Sequence, residues 1–106
     1  MIFYHGLSKE KWEKTAKQGY LLHDRTSKEY PNASPVVYLA IDKKEASMYG
    51  EVLLEIEYNP YTNPKFNNYI NGCWQFRVYE PIPLTKVKQI RYDNNNYQQR
   101  RFKPNQ

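Results

Sequence analysis

His5-Gly6 follows four mostly apolar residues and is the first place in this chain where the residue types suggest chemistry. An imidazole can donate, accept or carry a proton near neutral pH. A glycine lets the backbone approach a ligand that a Cβ would hold away. The pair therefore reads either as a strand running into a turn or as a ligand site at a strand end. Further along, Glu55 and Glu57 are two apart in an alternating stretch and share one strand face, where they could offer a carboxylate. Arg25 and Arg77 could steady a diphosphate or could equally be surface arginines. Other chemistries are disfavoured. His5, His23 and Cys73 lack the spacing of a metal site, Cys73 has no assignable base, and the four glycines make no phosphate-cradling loop.

The elements that must position these groups are short. Residues 1–5 read as a buried strand. Ser8 is placed to cap a helix over 9–18 that Gly19 ends, with Trp12 and Ala16 as its inner stripe. Residues 19–35 read as a long loop of the kind that is usually functional or mobile. "VVYLA", 36–40, reads as a buried strand, and Asp42 with Glu45 three later opens a short helix ending near Gly50. In "EVLLEIEYNP", Val52, Leu54, Ile56 and Tyr58 face one way and Leu53, Glu55 and Glu57 the other. Residues 59–72 form a second turn-rich loop. In "CWQFRVY", Trp74, Phe76 and Val78 take the core side and Gln75 the opposite face. "EPIPLTKVKQIRY" reads as a bend and an edge strand. The expected fold class is α+β, with one domain over 1–92 and a basic, disordered tail over 93–106.

The net charge of +5 is carried by residues 86–106, which hold six basic residues against Asp93 alone; the rest of the chain is neutral, ten against ten. The body is thus no basic nucleic-acid surface, whereas the tail could be one or could serve solubility. One cysteine allows no internal disulfide. No apolar run approaches the ~18 residues of a membrane span, and the start lacks a signal-peptide pattern. A soluble, cytoplasmic protein without a membrane partner is expected.

Taken in order, "YHG", "VVYLA", "ASMYG" and "CWQFRVYEPIPLTKVKQI" resemble the ADP-ribosyltransferase superfamily over roughly residues 1 to 91. The likeness is to the poly(ADP-ribose) polymerase and diphtheria-toxin branch, with its histidine, tyrosine, glutamate order. It implies a small split sheet with two short helices, and NAD as cofactor. It also implies roles: His5 bonding a ribose hydroxyl, Gly6 bonding the nicotinamide amide through its backbone, and Tyr38 and Tyr49 sandwiching the nicotinamide ring. The family's nicotinamide-binding serine falls on Ala46, with Ser47 one residue along. The family's catalytic glutamate falls on Gln75, which can bond a hydroxyl but brings no negative charge and takes no proton. Glu57 or Glu55 would supply the carboxylate if the correspondence is shifted.

Three functions follow as expectations. The first is a minimal NAD-dependent ADP-ribosyltransferase acting on a protein or nucleic acid. The second is a catalytically weak module holding NAD, ADP-ribose or a related nucleotide. The third is an interaction protein using its basic tail on nucleic acid.

Overall fold

Ser8 and Gly19 bracket the first helix by opposite devices. In the computed structural model, which describes residues 1–63, 65, 67–70 and 72–92, Ser8 is extended and its Oγ accepts the Lys11 backbone N–H at 3.2 Å. Gly19 has φ 88°, the left-handed region that a Cβ disfavours, and donates its N–H to the Thr15 carbonyl at 3.0 Å. Between them runs α1 (Lys9–Gln18). Its contact stripe is Trp12 with Thr15, not Trp12 with Ala16: Thr15 is buried and Ala16 is exposed. A three-residue step suffices because this polar helix touches the body along a narrow line. Replacing Ser8 with Ala removes the cap and is expected to cost about 1 kcal/mol. In a domain of this size that is a fall in melting temperature of roughly 4–8 °C, readable by thermal unfolding.

The other elements are β1 (Ile2–Leu7), β2 (Tyr20–Leu21), β3 (Val37–Ala40), α2 (Lys43–Ala46) running into a 3₁₀ turn (Ser47–Tyr49), β4 (Val52–Glu57), β5 (Gln75–Val78), β6 (Ile82–Pro83) and, after a 3₁₀ turn (Leu84–Lys86), β7 (Val87–Tyr92). Five strands make one antiparallel sheet in the order β5-β3-β1-β4-β7; β2 and β6 form a separate two-stranded sheet. The chain is therefore a small α+β domain with two short helices, and β7 is an edge strand as its sequence suggests. The β2–β6 pair was not expected from the sequence.

Period-two alternation sets the layers. Phe3 and Leu7 of β1, Val37 and Leu39 of β3, Val52, Leu54 and Ile56 of β4, and Phe76 and Val78 of β5 pack into the main core. The opposite face is thinner: Ala40, Ala46 and Leu53, with Tyr4 and Ile90 beside them. Two expectations change here. β1 continues through His5 and Gly6 to Leu7, so the pair lies inside the strand and not at its end. Trp74 is half exposed, because β5 starts only at Gln75 and the alternation does not reach back to it. Arg91, counted by charge with the basic end, is structural: its Nη2 donates to the carbonyls of Ser47 and Gly50, each at 2.8 Å, and holds the 3₁₀ turn to β7. The expected tail, 93–106, lies outside the described residues.

Candidate functional site

The sheet opens between β1 and β3, two of its three inner strands. β1 and β3 are joined at one register pair, Tyr4 opposite Ala40. On β5, Arg77 turns its backbone outward: its N–H donates to Asn68 Oδ1 at 2.6 Å and its carbonyl accepts from Asn68 N at 3.1 Å. Antiparallel alternation then directs the backbone groups of its partner Tyr38 toward β1. His5 meets the Tyr38 carbonyl with its side chain, Nδ1 to oxygen at 2.6 Å. An imidazole thus closes the pairing where the backbone ladder stops.

That contact assigns the protons. A carbonyl only accepts, so Nδ1 of His5 carries the hydrogen, and in the neutral ring Nε2 is a lone pair. Nε2 of His23 lies 3.1 Å from it and is the donor. The remaining nitrogen of His23, Nδ1, is in turn a lone pair. The two rings are stacked at 22° with centroids 5.2 Å apart. Burial lowers the His5 pKa from 6.5 to about 4, helped by repulsion from His23 and Lys11 and opposed by the bond to Tyr38. Burial and Lys11 bring His23 to about 4 as well. Both rings are neutral at pH 7.

His23 is held at the head of the long loop. Its backbone exchanges two hydrogen bonds with Val36, at 3.2 and 3.0 Å, which pin the loop together between the end of β2 and the start of β3. Within the loop Arg25 donates Nε to the Ser34 carbonyl at 2.9 Å and Nη1 to the Tyr38 hydroxyl at 3.3 Å. The Asp24 carboxylate accepts the Thr26 N–H at 2.9 Å, which lowers its pKa. Arg77 lies 5.8 Å from the centroid of the Tyr38 ring, so Tyr38 has a guanidinium at its hydroxyl and another over its ring.

These groups border a cleft of about 420 Å³ whose walls include His5, Gly6, Tyr38, Tyr49 and Gln75. Five of the residues that the resemblance singles out, together with Arg25, therefore share one cavity. Gly6 has a packing reason to lack a side chain, since a Cβ there would collide with the Ala46 carbonyl at the end of α2. Gln75, at the head of β5 opposite Ala40, is half-buried, and Tyr49 is half exposed on the 3₁₀ turn.

Two nominated residues lie elsewhere. Ser47 is buried, its hydroxyl donates back to the Lys44 carbonyl at 2.7 Å, and it is not part of the cleft wall. Glu57 pairs with Ile2, four residues along β1 from Gly6, a separation of roughly 13 Å at the rise of a strand. Its exposed carboxylate is 4.0 Å from Lys86 Nζ, and with Glu55 it borders a separate depression of about 180 Å³. One expectation about His5 is also modified: both ring nitrogens are engaged, so a ribose hydroxyl reaches Nε2 only by displacing His23. The cleft residues missed from sequence are Lys11, His23 and Asp24. The signal available was "HDR", 23–25, an acid, a base and an imidazole together at the head of a long loop.

No His, Cys, Asp and Glu cluster among the described residues could hold a metal ion, and no helix among them is long and apolar enough to cross a membrane. No protein-family model, curated protein or solved structure matches this chain.

Proposed function

We propose that the chain is a minimal ADP-ribosyltransferase, binding NAD in the cleft between β1 and β3 and transferring ADP-ribose to a protein or nucleic-acid acceptor. The observation that carries this reading is the convergence of His5, Gly6, Tyr38, Tyr49 and Gln75, drawn from four separate segments, on one cleft. Its volume lies in the range of small-molecule sites, and its mixture of tyrosine rings with a few polar groups suits a nucleotide. Lys11 and Arg25 on the wall, and Arg77 beside Tyr38, supply positive charge suited to a diphosphate. In this reading Tyr38 and Tyr49 receive the nicotinamide ring, and the His5–His23 pair and Gln75 face the sugar.

Calorimetric titration with NAD and with ADP-ribose tests the binding step. The wild-type chain is expected to bind, and Tyr38→Ala to bind several-fold more weakly, since ring stacking contributes about 0.5–1.5 kcal/mol beyond burial. Absence of binding at millimolar nucleotide would defeat the proposal.

A second reading, a nucleotide-binding module without turnover, is favoured by the amide at Gln75 and by the distance of Glu57 from the cleft. It is separated from the first by incubation with labelled NAD and cell extract: binding without transferred ADP-ribose supports the module. The third reading depends on residues 93–106, outside the described residues.

A further inference from the structure

We propose that His23 is the general base of the transfer, taking on Nδ1 the proton of the attacking acceptor hydroxyl, while His5 is a positioning residue that holds His23 in the required tautomer. This rests on the ADP-ribosyltransferase reading above.

Three other cleft residues are poorer candidates for the base. Gln75 cannot accept a proton. His5 has Nδ1 committed to the Tyr38 carbonyl and Nε2 to His23. Asp24, the carboxylate among the described cleft residues, is solvent-exposed and already accepts from Thr26. His23 remains, with one nitrogen donating to His5 and the other a lone pair. Two backbone bonds to Val36 fix where its ring starts from. The bond to His5 orients an imidazole base by its far nitrogen, as a carboxylate does in a hydrolase triad, but with a second neutral ring as the acceptor.

The step balances. The acceptor oxygen attacks C1′ of the nicotinamide ribose, and a C1′–O bond forms. The C1′–N bond breaks and its electron pair leaves with nicotinamide, discharging the positive ring. The acceptor proton passes to His23 Nδ1, giving an imidazolium that later releases it to water. The groups acting on the pair are the Tyr38 carbonyl from β3 and Lys11 from α1; Asp24 and Arg25 of the loop line the same cleft. Burial, helped by Lys11, keeps His23 unprotonated, with a pKa of about 4, close to that of an ordinary glutamate. His23 thus replaces the proton-accepting part of a glutamate and leaves its negative charge unreplaced.

The test uses the full chain, labelled NAD and pH 4–8, with NAD binding measured in parallel. His23→Gln is expected to lower kcat by roughly 10²–10⁴ and to weaken NAD binding by a far smaller factor. The acid limb of the wild-type pH–rate profile should flatten in that variant. His23→Ala should regain part of the rate with added imidazole, which a purely structural loss would not. His5→Gln should move the acid limb, because the tautomer of His23 is no longer imposed. Wild-type kcat in His23→Gln overturns this assignment and leaves the transferase reading standing. Loss of the acid limb in Asp24→Asn, with His23→Gln unaffected, moves the base to Asp24 and also overturns it. A wild type that binds NAD but never consumes it, or does not bind it, removes the transferase reading and this inference together.

Discussion

Acidification from pH 7 to pH 4 is expected to remove about 3 kcal/mol of folding stability through buried His5, whose titration is coupled to that of His23. His5 is buried, and its pKa falls from 6.5 in the free chain to about 4 in the fold. Between those values the unfolded chain holds a proton that the native ring refuses. Stability is therefore full above pH 6.5 and declines as the pH drops toward 4, at about 1.4 kcal/mol per pH unit for one proton. Below the folded value the native ring also protonates, and this contribution levels off. His23 adds to the loss in the same direction and over the same window. The two do not titrate independently, because a proton on His5 Nε2 would set an N–H against the N–H of His23, 3.1 Å away. Thermal or denaturant unfolding at pH 7, 5.5 and 4 reads the effect. Wild type should lose stability steeply across this range, and His5→Gln should lose distinctly less, whatever its stability at pH 7. Parallel profiles for the two proteins would show that the His5 ring is not buried in its neutral form.

On the proposed transferase reading, Gln75→Glu is expected to raise NAD turnover by about one to two orders of magnitude. Cleavage of the nicotinamide–ribose bond builds positive charge on the sugar, and a fixed carboxylate beside it stabilises that charge. Gln75 heads β5, is half-buried and lies on the wall shared by His5, Gly6, Tyr38 and Tyr49. About 1.4–2.8 kcal/mol of transition-state stabilisation corresponds to the 10- to 100-fold increase. Glu57→Gln should leave turnover unchanged, because its carboxylate points into a separate depression beside Lys86. Release of labelled nicotinamide measures both. A neutral or harmful Gln75→Glu together with a rate loss in Glu57→Gln would mean that Glu57 reaches the ligand after all, against the register seen here.

The features legible in the sequence are those written in local chemistry. Ser8 and Gly19 mark α1 to the residue, because a cap depends on one side chain and one backbone angle. Asp42 caps α2 through the Lys44 N–H as its spacing to Glu45 suggests. β4 shows its faces because alternation is a property of neighbours in the chain. The errors arise where a neighbour in space decides. Ser47 looks available in sequence but its hydroxyl turns back to Lys44. Trp74 looks like core until the strand is found to begin one residue later. Glu57 looks catalytic until antiparallel pairing of β4 with β1 sets it level with Ile2.

By itself, then, the sequence determined the α+β class, the ends of α1, the inward faces of β4 and the candidacy of His5, Gly6, Tyr38, Tyr49 and Gln75. Only the tertiary structure decided that β1 and β3 part after a single register pair, that His5 fills the gap, and that His23, 18 residues away, is its hydrogen-bond partner. Strand order, register and the path of the 22–35 loop are set by which apolar faces bury one another across the whole chain. No local spacing encodes that choice, so the two imidazoles that share a proton network stand in the sequence as two unrelated histidines.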